Sequence, residues 1–290
     1  MALRTGRCIL AWRAVSRRIT AALALSLGVG GAALAGSPER VVSINLCTDQ
    51  LAMMLAGPGQ LVSISRISHD PLVSVMHDAA LGYPVNSGQA EEVFRLKPDL
   101  VLAGEYSSPY TVGLLRRLGV AVAVLPSVSD LDVIPDSIAR MGEFLGREPE
   151  AAALAAQFQD SLNTLRSAPA PSRRAALHYA NNYPSGENSM AHAILTTAGF
   201  INIAAEAGLS GGGTLAMERL IMLMPDLVIS GQAYPGASRS EDVLRHPAMD
   251  ALRDRHAASS LSDAEWVCGT PAVLRAIARL AALHDDGILP

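Results

Sequence analysis

Glu91-Glu92-Val93-Phe94-Arg95-Leu96-Lys97-Pro98-Asp99-Leu100-Val101-Leu102-Ala103-Gly104 returns without a gap as Glu218-Arg219-Leu220-Ile221-Met222-Leu223-Met224-Pro225-Asp226-Leu227-Val228-Ile229-Ser230-Gly231. Glu, Leu, Pro, Asp, Leu, Val and Gly recur at a constant offset of 127 residues. Proline disfavours helix in the residue before it, and the apolar run after it reads as a buried strand. Helix-Pro-Asp-strand corners are common in α/β proteins, which accounts for Pro-Asp-Leu-Val. They do not require a Glu seven residues before each Pro. The repeat therefore reads as two related lobes.

Outward from the repeat, short apolar runs alternate with helical patterns. Strands are expected at 41–44, 61–64, 100–103, 120–125, 175–179 and 227–229, and helices at 48–55, 114–118, 192–198, 217–223 and 272–283. Such alternation argues for parallel βαβ units. Between the halves, residues 131–165 carry apolar side chains at helical spacing, with a break or kink expected at Gly146 and Pro149. Ala168-Pro169-Ala170-Pro171-Ser172 then reads as a turn or linker. The expected organisation is an N-terminal lobe at 39–127, a linking helix region at 128–168 and a C-terminal lobe at 172–290.

Residues 1–35 stand apart. An Arg-rich head precedes an apolar run from Ile19 that ends in Ala33-Leu34-Ala35, a small-x-small pattern suited to signal peptidase. The reading is a signal peptide cleaved after Ala35, hence an exported protein; a membrane anchor is the competing reading. The chain has 290 residues, 50% of them apolar and 17% charged, so it is globular rather than disordered. The leader takes five of the 23 Lys and Arg and no acid, leaving 18 against 27 Asp and Glu, a net charge of −9 (18 − 27). An acidic chain lacks the electrostatic footprint of non-specific nucleic-acid binding.

Ligands of open parallel sheets bind beyond the carboxyl ends of the strands. The loops there contain Asn45, Arg66, Tyr106, Tyr110, Tyr179, Tyr183, Tyr234 and Trp266. Aromatic anchors on two lobes describe a cleft for a large, partly apolar ligand, lined by Trp266 and at least two of Tyr106, Tyr179 and Tyr183. Arg66 is the strong cation among them, suited to an anionic ligand group or to a salt bridge with a neighbouring acid. Thr48 and Asp49 are read first as caps of the helix that begins there. Cys47 and Cys268 lie in loops at the cleft end, and two alternatives stay open: a disulfide across the mouth, or two separately buried thiols.

Catalytic and metal motifs fail on context. Gly208-Leu209-Ser210-Gly211-Gly212 matches a nucleophile elbow, but lacks a strand before it and a helix from the Ser. Gly57-Pro58-Gly59 lacks the Lys of a phosphate-binding loop. No His-x-x-x-His or Cys-x-x-Cys spacing occurs, so no metal site, no catalytic residue and no cofactor is expected.

Arg40-Val41-Val42-Ser43-Ile44-Asn45, the Glu-x6-Pro-Asp-Leu-Val corner in each half, the long joining helix and Ala198-Gly199-Phe200-Ile201-Asn202 together resemble the periplasmic binding proteins of ABC importers. Within them, the chain resembles the helix-hinged branch that carries ferric siderophores, haem or cobalamin. Phe200 stands where that family's Ala-Gly-Gly-x-Asn signature has its second Gly. The resemblance covers residues 39–285. It implies an α/β fold of two Rossmann-like lobes with small parallel sheets joined by one long helix (class III). It also implies a monomer in the periplasm that hands a metal chelate or corrinoid to an ABC permease and its ATPase. The family's docking acids match Glu91 and Glu218, with Glu92 as a substitute for Glu91; each lies near the start of its helix and is expected away from the cleft. The alternatives are an envelope interaction or sensor protein that kept the fold, and a periplasmic hydrolase.

Overall fold

The strand runs Val41-Val42, Leu100–Ala103 and Leu227–Ile229 show no polar alternation, the mark of strands covered on both faces. In the computed structural model they are the central strands of two parallel sheets. It describes residues 36–166, 172–180, 184–230, 240, 242–250, 257–259 and 263–285. The first sheet has the order β3-β2-β1-β4-β5, built from β1 (Val41–Ser43), β2 (Leu61–Ser65), β3 (Val85–Asn86), β4 (Leu100–Gly104) and β5 (Ala121–Leu125). The second has the order β7-β6-β8-β9, from β6 (Arg173–His178), β7 (Phe200–Asn202), β8 (Leu227–Ser230) and β9 (Ala257–Ser259). Every pairing in both sheets is parallel.

The helices α1 (Leu46–Leu55), α2 (His77–Ala80), α3 (Ala90–Arg95) and α4 (Pro109–Arg117) link the strands of the first sheet. The tract after β5 divides into α5 (Ile134–Leu145) and α6 (Glu148–Leu165). Gly146 ends α5 with φ +65° and ψ +38°, a left-handed cap that glycine reaches without steric cost. At 18 residues, α6 is the long helix, about 27 Å from end to end. The second lobe continues with α7 (Met190–Thr197), α8 (Ile203–Glu206), α9 (Met217–Met222) and α10 (Val273–Asp285).

The repeat has a physical anchor in each lobe. Asp99, at the first corner, accepts the N–H groups of Glu39 and Arg40 at 2.7 and 3.0 Å and returns its own N–H to the Arg40 carbonyl. The Arg40 side chain then reaches the carbonyls of Leu96 and Lys97, the unpaired end of α3. In the second lobe, Asp226 accepts the N–H of Arg174 at 2.7 Å, and the Arg174 guanidinium reaches the carbonyl of Leu223 at the end of α9. Lys97 and Met224, the residues before the two prolines, both hold the left-handed conformation, at φ +50° and +46°. That conformation is strained for any residue with a Cβ, by about 1–3 kcal/mol. The Arg straps and Asp clasps over-determine both corners and keep it in place.

One hydrophobic core runs through both lobes. It joins Val41, Leu51 and Leu102 of the first lobe to Leu177, Ile194 and Ile229 of the second. Ile134, Ile138 and Met141 of α5, Phe158 and Leu162 of α6, and Val273 and Ile277 of α10 complete it. α5 packs on α1 and β5, α6 on α5 and α10, and α10 on α7, so a helical layer welds the sheets. Phe158→Ala, deep in this layer, is expected to cost about 3–5 kcal/mol. Loss should appear in both lobes at once: denaturant curves followed by far-ultraviolet circular dichroism and by Trp266 fluorescence should coincide before and after the substitution. Two separated transitions would show that the lobes have independent cores.

Candidate functional site

The strand order reverses between β1 and β4, which opens a crevice at their carboxyl ends. Asn45 lies two residues beyond the end of β1. Its Oδ1 accepts the N–H groups of Cys47 and Thr48 at 3.0 and 3.3 Å, so Asn45, and not Thr48 or Asp49, caps α1. The correction has a simple cause: Thr48 and Asp49 already lie inside the first turn, where their own N–H groups need an acceptor. Asn45 also lies against Gly104, the last residue of β4; a Cβ there would stand 2.7 Å from the Asn45 carboxamide. Glycine at 104 is what lets the carboxamide lie across the switch point.

Two cavities open here. A small one, about 140 Å³, is lined by Asn45, Thr48, Gly104 and Tyr106 of the first lobe and by Val267 and Gly269 of the second. A larger one, about 630 Å³, follows the carboxyl ends of β1, β2 and β3 and is lined by Asn45, Ser65, Arg66, Asp70, Asn86 and Ser87. Asn86 is buried and stitches the three strand ends together, its Nδ2 donating to the Ser43 and Ile64 carbonyls and to Ser63 Oγ at 2.9–3.0 Å. Arg66 is exposed at the wall of this cavity and makes no hydrogen bond or ion pair among the described residues.

Under Arg66 lies Asp49, fully buried. Its Oδ2 accepts the Ser65 N–H at 3.1 Å, the Ser65 hydroxyl, and the Ser68 hydroxyl at 2.7 Å. Burial pushes its pKa up to about 6, against the opposing pull of the hydrogen bonds from Ser65 and Ser68 and of the nearby Ser43 hydroxyl, which itself pairs with Thr48. Glu92 is held the other way: the hydroxyl and N–H of Ser87 keep its carboxyl below the usual range, and the nearby Arg66 adds to this. Glu105 likewise accepts from the hydroxyl and N–H of Ser127, which fastens the loops after β4 and β5 to each other.

Cys47, in the first turn of α1, is bonded to Cys268, in the loop before α10, with Cα atoms 5.2 Å apart. The bridge joins the two lobes at the edge of the small cavity, and Leu46 and Val73 cover it. Closing 221 residues of chain constrains the unfolded state by on the order of 5 kcal/mol.

The aromatic residues divide. Tyr106 lines the small cavity but is 84% exposed, as is Tyr110 at 86%. Trp266 is 7% exposed and belongs to the main core, edge-on to Tyr179 with ring centroids 6.5 Å apart. This corrects the expected open cleft position: the indole turns inward to pack in the core against Tyr179, while the neighbouring Cys268 is held at the lobe junction by the bridge. Tyr183 and Tyr234 lie outside the described residues. Among the described residues, no group of three or more His, Cys, Asp or Glu side chains could hold a metal ion.

Glu91 and Glu218 are exposed, each the second residue of a six-residue helix. Both helices end at the amino edge of a sheet, strapped by Arg40 and Arg174. Their first turns therefore point back toward the carboxyl edge, and α3 begins just after Ser87 and Gly88 of the cavity wall. Glu91 therefore starts within a few residues of the larger cavity's wall, although neither Glu91 nor Glu218 lines either cavity. Glu92 is engaged with Ser87 at 2.8 Å, which leaves Glu91 as the outward carboxylate of that turn.

A model of the family described as periplasmic binding protein matches residues 41–256. The chain belongs to the periplasmic binding protein family. A cobalamin-binding protein of Halobacterium salinarum is 28% identical over 204 residues, 68% of this chain and 55% of its own length. The chain thus spans just over half of that archaeal relative. A vitamin B12-binding protein of Yersinia pseudotuberculosis is 25% identical over 201 residues, 67% of this chain and 70% of its own length. Among solved structures, the apo periplasmic haem-binding protein of Roseiflexus superposes with a TM-score of 0.71 at 23% identity, over 86% of this chain and 98% of that one. The periplasmic vitamin B12-binding protein of Vibrio cholerae gives 0.63 at 20% identity, over 85% and 96%. These structural neighbours share the two-lobed fold of the family.

The raised pKa of Asp49 fixes the sign of a stability change in this binding protein. Folded Asp49 takes up a proton near pH 6, whereas the unfolded residue does so near the ordinary aspartate value of 3.8. Ionised Asp49 therefore costs stability above pH 6, and that cost is relieved as pH falls from about 6 to about 4. Between pH 7.5 and 5.0 the wild type should gain about 1 kcal/mol relative to Asp49→Asn. Urea denaturation of both proteins at the two pH values measures it; a difference that stays constant, or grows with pH, contradicts the assignment.

Proposed function

We propose that this chain is a periplasmic solute-binding protein that captures a chelated metal cargo between its lobes and delivers it to an ABC importer. The observation that carries the reading is Arg66, a guanidinium with no hydrogen bond or ion pair among the described residues, on the first lobe's wall of a 630 Å³ cavity at the carboxyl ends of parallel strands. A guanidinium in that place suits a carboxylate or phosphate at the periphery of a large ligand. Ferric siderophores, haem and corrinoids all offer such chemistry. The names of the two sequence relatives described above put a corrinoid first. In this reading residues 1–35 are the export signal and the mature chain is a monomer that begins at Gly36. Glu91 and Glu218 are its two docking carboxylates for Arg residues of the permease, whose ATPase drives release.

The chain from Gly36 should bind cyanocobalamin saturably, with absorbance and Trp266 fluorescence as readouts and haemin and a ferric hydroxamate as comparisons. Arg66→Gln should weaken binding about tenfold, the loss of one charge-assisted hydrogen bond. Failure of all three ligands to bind would overturn the reading.

Docking is tested separately. Glu91→Arg and Glu218→Arg should each cut uptake by cells severalfold while leaving cargo affinity within about twofold, because rim charges act mainly on association with a partner. A double variant that transports like the wild type would remove these residues from the docking surface.

A further inference from the structure

The three hydrogen bonds that Asp49 Oδ2 accepts from β2 and the turn beyond it come from two serines that bracket one functional side chain. Ser65 ends β2, Ser68 lies within the turn Arg66–His69, and Arg66 stands between them on the wall of the larger cavity. Asp49 itself is fully buried, and its Oδ1 accepts no hydrogen bond. A buried carboxylate with a partnerless oxygen is an unfavourable choice for stability alone. Proteins retain such local conflicts chiefly where function needs them. Here the conflict grips one short turn, and that turn aims Arg66.

Resting on the reading of Arg66 as the anion-pairing group, we propose that Asp49 is its positioning residue: as a carboxylate it fastens the Ser65–Ser68 turn, and as a carboxylic acid it loosens it, so that capture of an anionic cargo group weakens in acid. The chemistry follows from the two oxygens. A proton added at Oδ1 leaves Oδ2 a neutral carbonyl acceptor. Charge-assisted hydrogen bonds are about twice as strong as neutral ones. Protonation therefore weakens all three bonds to the turn together without breaking the fold. The raised pKa places this change in mild acid.

Other charges nearby do not substitute for Asp49. The elements packed against α1 are β1, β2, β4, α5 and the 66–69 turn. Their ionisable residues are Arg66 and His69 on the turn and Asp136, Arg140 and Glu143 on α5. None of these hydrogen bonds to Asp49. His69 instead contacts the Ala80 carbonyl through Nε2 at 2.9 Å. Any contribution of His69 persists when Asp49 is replaced and is removed by comparison.

Asp49→Asn mimics the protonated state, with the amide oxygen in place of Oδ2 and the amide nitrogen at the partnerless position. Cyanocobalamin affinity is measured at pH 7.5 and 5.0 for the wild type, Asp49→Asn, Arg66→Gln and the double variant. On acidification the wild type should lose about fivefold more affinity than Asp49→Asn does, and Asp49→Asn should be about fivefold weaker at pH 7.5. Asp49→Asn should cost nothing further in the Arg66→Gln background. An equal loss with and without Arg66, or wild-type affinity in Asp49→Asn, overturns the proposal. Ser68→Ala, which leaves the carboxylate in place, should weaken binding in the same direction and guards against a folding defect in Asp49→Asn.

Amide exchange of Ser65–His69 in the unliganded protein needs no cargo. It should be faster in Asp49→Asn than in the wild type at pH 7.5, and unchanged exchange overturns the proposal. The two readings thus fail separately: absence of cyanocobalamin, haemin and hydroxamate binding defeats the cargo assignment, whereas exchange decides the role of Asp49.

Discussion

The packing of α5 and α6 between two parallel sheets is the constraint on which the rest of the molecule depends. Each sheet is small, and its central strands need cover on both faces. In a chain of two such lobes, the shared helices supply part of that cover to both. Phe158 and Leu162 belong to the same core as Val41 and Ile229, so neither lobe has a complete interior alone. The Cys47–Cys268 bridge adds a covalent tie on the cleft side, remote in sequence from the helical connection. The crevice between the lobes is therefore fixed by packing that lies behind it.

That fixed frame decides how binding can work. A cleft that does not have to close pays little to reorganise, and its affinity rests on groups held in position beforehand. The first lobe shows how this is arranged. Asn45 caps α1 and lies across Gly104, Asn86 ties three strand ends, and Glu105 fastens two loops through Ser127. Among these satisfied groups, Arg66 makes no hydrogen bond or ion pair among the described residues and feels only the nearby Glu92 carboxylate. The corners carrying Glu91 and Glu218 are stiffened in the same manner, by Arg40 and Arg174.

Much of this architecture was legible in the residues, and what was hidden has physical reasons. The 127-residue repeat marked the two corners because Pro and Asp act locally, through backbone geometry and a nearby N–H. The long buried strands were visible because both faces are apolar. β3, β7 and β9 have two or three residues and lie at sheet edges, too short for any period to show. The straps from Arg40 and Arg174 cross 50–60 residues of chain, and no local pattern announces them. An Arg or Lys just before a strand that opens a lobe is the one signal that could have pointed there. Asn45 was recognised as a site residue but not as the cap, since Asn, Thr and Asp are all competent caps within one five-residue stretch. Trp266 was misplaced because a loop position says where the backbone runs, not which way a large ring packs.

The central claim is that the lobes keep one fixed separation. In the chain from Gly36, with Cys47 and Cys268 in the bridge, spin labels can be placed at Glu91→Cys and Glu218→Cys, and the distance between them measured by pulsed electron resonance. A single narrow distance, shifting by less than about 2 Å when cyanocobalamin is added, is the result predicted for a frame welded through α5 and α6. A broad or two-peaked distribution in the free protein, collapsing to a shorter distance on loading, would contradict it.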